Sequence, residues 1–244
     1  MTAPAATDRV REEWRARIAA EYTSATITQH LVLWLMQAGA PPDLIDAGLV
    51  IVGDELVHSR ISHETYVAAG GTLPPALDRD QLGLRPSSAG LELDILRVAL
   101  DVFCLGETVA VPLFRHLREK CTVAPARAAL DRILRDEVRH RDFGWDLLDW
   151  LSLTPLTDAI PGFAARELPR MFARLDASYG KASAAVIEDD GAITDAERAW
   201  GLSAPREYAE ILARTLDKEW TPRFAARDLD VVAILTPPRP LETA

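Results

Sequence analysis

Two hexapeptides share a skeleton: GDELVH at 53–58 and RDEVRH at 135–140 both read Asp, Glu, two residues, His. Glu and His three apart on a helix project from one face, so a single metal ion can take both side chains. The chain has 16 Glu and 5 His, for which roughly 0.3 E-x-x-H matches arise by chance. Two matches, each preceded by Asp and each in the middle of a helical pattern, exceed that. Oxygen and imidazole donors without thiolates suit iron or manganese rather than zinc.

The elements that must position these strings are helices, and strand alternation is nearly absent. Apolar spacing predicts a first helix from about Thr7 to Gln37, stopped by AGAPPD, where Gly39 and the Pro pair cannot continue it. A second starts near Pro42–Asp43, carries Leu44, Ala47, Ile51, Leu56 and Ile61, and ends at AAGG. GGTLPPALDRDQLGLRPSSAG, 70–90, reads as a long crossover. A third helix spans about Leu91 to Lys120, VAPAR turns the chain, and a fourth runs from about Pro125 to Trp150. Two helix pairs with short turns and one long link are the connectivity of an all-α four-helix bundle with one crossover.

A dimetal site also needs a carboxylate from each of the other two helices. Glu107 lies about 13 residues before the 121–124 turn and Glu137 about 13 beyond it, so the two come level. The stretch around it, DVFCLGETVAVPLF, is apolar, a poor place for an unpaired charge. In the first helix Glu21 is the only acid between Glu13 and Asp43. It stands about 17 residues before its turn against about 12 after it for Glu55, a mismatch of roughly 7 Å by helical rise. The candidate ligands are therefore Glu21, Glu55, His58, Glu107, Glu137 and His140. Four carboxylates neutralise two divalent ions. Cys104, three residues before Glu107, is a candidate to line the cavity with Thr108 and Val111. Pro112 removes the helical donor of the Thr108 carbonyl, which predicts a kink there.

This pattern resembles the ferritin-like di-iron carboxylate superfamily over about residues 10–152, and DEVRH has the D-E-x-R-H form seen in bacterial di-iron monooxygenases. The resemblance implies that Asp54 and Asp136 anchor ligand histidines, with Arg139 held among these carboxylates; a metal-bound imidazole needs its other N–H fixed. Two E-x-x-H motifs bring the chain closer to rubrerythrin, ribonucleotide-reductase small subunits, aldehyde-deformylating oxygenases and di-iron N-oxygenases than to storage ferritin. Val111 stands where multicomponent monooxygenases usually carry Thr, and no rubredoxin-like Cys pairs follow.

What the resemblance implies is a non-haem dimetal oxidase or oxygenase with Glu55, Glu107 and Glu137 at the reacting centre. It implies two iron ions (Fe/Mn or Mn/Mn as alternatives), O2 as co-substrate, a small organic substrate in the bundle core and an external electron donor. A ferroxidase or peroxide-handling protein, manganese-catalase-like or rubrerythrin-like, is the alternative, and a metal-free helical binding module the third reading. A homodimer is left open.

The remainder of the chain adds two or three helices: about Thr157 to Tyr179, a capping-box start at Thr194 and Glu197, and the amphipathic stretch 205–227. IEDDGAIT reads as a solvated loop and TPPRPLETA as an extended tail. With no second core in view, 1–244 reads as one domain: 7–152 the dimetal bundle, 153–235 accessory helices packed on it, and 236–244 the tail. A composition of 48% apolar and 26% charged residues is that of a globular protein. A net charge of −10 with no basic stripe argues against nucleic acid or an anionic membrane as partner. MTAPAATDRVREEW has no apolar signal region, and two cysteines without C-x-x-C spacing suit free thiols in a reducing cytoplasm. His30, His63 and His116 read as surface or locally partnered residues, and Trp34, Trp145 and Trp150 as core.

Overall fold

A computed structural model describes residues 4–179 and 193–236. The tail from residue 237 and the loop expected at 187–194, up to residue 192, lie outside the described residues. Among the described residues the regular elements are all helical, with no strand, and no helix is long and apolar enough to cross a membrane.

Helix α1 (Asp8–Gln37) opens on Thr7, whose side chain accepts from the Val10 amide at 3.3 Å. It closes where Gly39 takes a left-handed φ of 73°. That conformation lets the Ala40 amide donate back to the Leu35 carbonyl at 2.9 Å and reverses the chain in a few residues. Helix α2 (Pro42–Ala68) starts on a proline, whose missing N–H costs nothing in a first turn, and packs along α1. The crossover that follows holds only a short 3-10 turn at Arg79–Gln81 and is tied back to α1, where His30 Nδ1 accepts from the Leu84 amide at 2.9 Å.

The third rod is continuous from Leu91 to Glu119 but not uniform. It comprises α3 (Leu91–Val98), a π-helical segment (Ala99–Glu107) and α4 (Thr108–Glu119), which contains Pro112. The α-helix expected through this region therefore carries a wider turn that ends on Glu107. Helix α5 (Ala124–Ser152) packs against α2, α4 and the π segment. These rods share a core that includes the fully buried Leu31, Leu35, Ile51, Leu96, Leu100, Phe103 and Leu130, each contributing about 1.5–3 kcal/mol by burial.

Helices α6 (Ile160–Tyr179), α7 (Asp195–Ala199), α8 (Pro205–Thr215), α9 (Thr221–Ala225) and α10 (Val231–Leu235) add residues to the same core. The capping box at Thr194 and Glu197 is present. The helix expected over 205–227 is α8 and α9 joined by a second π turn, Leu216–Trp220. Hydrogen bonds tie this segment down: Trp14 Nε1 donates to the Trp200 carbonyl at 3.1 Å, and the Thr122 and Val123 amides both donate to that of Ala199 at 3.0 Å. Arg227 forms a two-pronged pair with Asp149 at 2.6 and 2.7 Å.

Candidate metal centre

Helix register decides which side chains meet. Glu21 lies sixteen residues before the end of α1 and His58 sixteen after the start of α2; Ser24 and Glu55 are each thirteen from those ends. Glu21 is thus level with His58 and Ser24 with Glu55, which leaves Glu21 and Glu55 three residues apart in height rather than the five expected. The contacts follow: His58 Nδ1 stands 3.7 Å from Glu21 Oε2, and Ser24 Oγ donates to Glu55 Oε1 at 3.0 Å. Glu107, twelve residues before the end of α4, comes level with Glu137, thirteen after the start of α5.

All six candidate ligands are buried. They fall into two groups, Glu21–Glu55–His58–Glu137 and Glu55–Glu107–Glu137–His140, with donor atoms within 4.8 Å of one another in each. Glu55 and Glu137 belong to both. His58 Nδ1 lies 3.6 Å from Glu55 and 3.8 Å from Glu137; His140 Nδ1 lies 3.3 Å from Glu55 and 3.6 Å from Glu137. None of these contacts has hydrogen-bond geometry. Both Nδ1 atoms, Glu55 Oε2 and Glu137 Oε2 are buried without a hydrogen-bond partner among the described residues, a cost of about 1–3 kcal/mol each if left so. Around one ion with bonds of about 2.1 Å, neighbouring donors sit roughly 3.0–3.4 Å apart. The donor set therefore fits a metal: these buried groups could hold one.

The outward nitrogens are fixed crosswise. His58 on α2 donates from Nε2 to Asp136 on α5 at 3.2 Å, and His140 on α5 donates to Asp54 on α2 at 3.3 Å. This aims each Nδ1 at the cluster, where loss of its proton frees a lone pair for a metal. The two aspartates are bound in turn by Arg139, at 2.6 Å to Asp54 and 3.2 Å to Asp136. Arg132, which the sequence reading missed, pairs with the same two carboxylates. Its position four residues before Asp136 on one helix face was the available signal. Burial opposes ionisation of Asp54, but the bonds from His140 and Arg139 prevail and hold it at about 2. Asp136 is likewise lowered, by Arg132 and His58 against the pull of burial.

Inside the cluster negative charge accumulates. Burial lifts the Glu21 carboxyl to about 7, only partly offset by His58. Burial, then the charges of Glu137 and Glu55, holds Glu107 well above the usual carboxylate range. Burial would depress His58, but the Glu21 and Glu55 carboxylates outweigh it and raise the imidazole to about 10. His140 rises for the same kind of reason. The site thus favours added positive charge, which protons supply in part and two divalent cations would supply in full.

Glu21, Glu55, Glu107 and Glu137 all line a cavity of about 1190 Å³ with Val102, Gly106, Ala110, Leu113 and Phe114 among its walls. Cys104, Thr108 and Val111 do not line it. Cys104 Sγ donates to the Gly144 carbonyl at 3.3 Å, and Thr108 Oγ1 accepts from Trp145 Nε1 at 3.0 Å; Val111 is buried. A π turn takes more residues than an α turn, so Cys104, three residues before Glu107, faces α5 instead. The Cys104 carbonyl accepts from Trp220 Nε1 at 2.9 Å. The close contact with α5 needs Gly144, where a Cβ would meet Phe103 Cβ at 2.6 Å and its carbonyl carbon at 2.8 Å.

The remaining histidines are elsewhere: His30 on α1 bonded to the crossover amide of Leu84, His63 exposed, and His116 bonded to Ser203 at 3.0 Å. Trp34 and Trp145 are buried and Trp150 half-buried. Both cysteines are free thiols. No family model, no curated protein and no solved structure matches the chain.

Proposed function

We propose that the chain is a non-haem dimetal oxidase or oxygenase of the ferritin-like bundle type, cytoplasmic, oxidising a small organic substrate with O2. The observation that carries this reading is the pair of overlapping ligand groups sharing Glu55 and Glu137. Glu21 and His58 would complete one ion's set, Glu107 and His140 the other's. Two iron ions, bound there, would supply the electrons that reduce O2, with an external donor restoring them. The chain's own residues do the rest. Asp136 and Asp54 set the tautomer of each ligand imidazole, Ser24 orients Glu55, and the apolar walls of the cavity hold the substrate and thin out water. A cavity of about 1190 Å³ beside the carboxylates exceeds what metal oxidation alone requires and favours an organic substrate.

The test is anaerobic loading with Fe(II), removal of free iron and metal analysis. The expected result is about two iron ions per chain, lost in Glu55→Ala/Glu137→Ala. Little bound iron or manganese, or unchanged occupancy in the double variant, contradicts the reading. Rapid turnover of hydrogen peroxide, with no organic molecule binding in the cavity, would move the assignment to peroxide handling.

A further inference from the structure

Arg17 shares the cavity with the ligand cluster but is not spent on it. It precedes Glu21 by one helical turn, about 6 Å along α1. Its side chain is only 7% exposed. The guanidinium carbon lies 4.6 Å from the ring centroid of Trp14 and 5.2 Å from that of Phe114, so two aromatic rings fix its position. Nη2 donates to Glu13 Oε1 at 3.3 Å, a long bond to a carboxylate that is 41% exposed. Nη1 is buried and has no hydrogen-bond partner among the described residues. A guanidinium that is desolvated, clamped and half-paired is an open seat for an anion.

The surroundings limit which anion. Glu13, Glu21 and Glu107 line the same cavity and oppose a second negative charge, while Asp101 there is paired with Arg174 at 2.7 Å and Arg9 stands at its rim on Glu197. One open guanidinium nitrogen can serve a carboxylate oxygen and leaves a phosphate dianion underserved. Beyond the charges, Ala20, Ile27, Leu113 and Leu117 present apolar surface. We propose that the cavity binds a monocarboxylate with an apolar body, Arg17 Nη1 donating to the carboxylate. If the oxidase reading above holds, on which this last step rests, the molecule is the substrate and its oxidised carbon stands a few bonds from the acid group, since Arg17 and Glu21 are one turn apart.

The probes are hexanoate, octanoate and 4-phenylbutanoate, each paired with its primary alcohol and titrated calorimetrically into the full chain, both metal-free and iron-loaded. At least one acid is expected to bind about tenfold or more tightly than its alcohol. Arg17→Gln should abolish that preference without changing iron content, and Arg17→Lys should restore part of it. Thermal melting of the variants checks folding, and the acid–alcohol comparison on the unaltered chain needs no variant. If no acid outbinds its alcohol, or if the preference survives in Arg17→Gln, the proposal is wrong. Iron held at about two per chain without acid preference defeats the substrate class and leaves the oxidase reading standing. Arg17-dependent acid binding by a chain that holds no iron defeats the oxidase reading and leaves the carboxylate site.

Discussion

The two helix pairs bring equivalent groups to one place by different construction. In the first pair α1 is α-helical throughout, and Glu21 meets His58 because both stand at the same distance from one short turn. In the second, the rod that carries Glu107 widens into a π segment ending on that residue, packs through Gly144 and leans on Trp220 from the C-terminal helices. The first pair brings Glu21, Glu55 and His58 together within one hairpin; the second, which brings Glu107, Glu137 and His140, draws on three parts of the chain. A ligand on a regular helix inherits its height from counting, whereas a π turn resets which residues share a face.

The largest effects should come from removing the unshared carboxylates. Glu21→Ala and Glu107→Ala are each expected to lose one ion and keep about one per chain, unlike the double variant at Glu55 and Glu137. Metal analysis checks this, and loss of both ions from either single variant would erase the distinction between the halves. Next in size, Asp136→Asn should weaken the ion on His58 and Asp54→Asn the ion on His140, each by about 10–100-fold, because each aspartate anchors the opposite pair's histidine. Competitive chelator titration reads this directly; weakening confined to the aspartate's own helix would refute the crossed anchoring.

Packing should separate the halves more modestly. Gly144→Ala forces a Cβ against Phe103 and its backbone, costing about 1–3 kcal/mol by overpacking. Gly48→Ala in the first pair crowds the Val32 Cγ2 methyl at 2.6 Å, with the Phe143 ring at ordinary contact distance, and should cost less, since it meets side chains rather than backbone. Denaturant unfolding of both variants gives the order. Smallest, Trp220→Phe removes its bond to the Cys104 carbonyl, at about 1 kcal/mol. Its signature is faster hydrogen exchange over the π segment with α1 and α2 unchanged; uniform loss of protection would contradict the view that the Trp220 contact supports the second pair alone.

Much of this was readable in advance. Gly39 and Pro42 mark their helix ends by chemistry that has no alternative there, and paired D-E-x-x-H strings bring Glu and His to one face wherever a helix forms. Glu21 looked out of register only because it was measured against Glu55; its partner in height is His58, and Ser24 is the residue level with Glu55. The π segment was not legible, since apolar spacing over nine residues does not distinguish an α turn from a slightly wider one. That single difference turns Cys104 away from the cavity it was expected to line. Arg17 went unnoticed because on a sequence it is one arginine among several; its meaning comes from Trp14 and Phe114, the second nearly a hundred residues away.

The central claim is that Glu55 and Glu137 serve two ions at once. Electron paramagnetic resonance on the chain loaded with Fe(II) and oxidised by air tests it most directly. Two ferric ions joined through shared carboxylates should couple and leave the sample largely silent at about two iron per chain. A strong signal from isolated high-spin ferric ions, accounting for all the iron bound, would mean that the two groups do not act as one site.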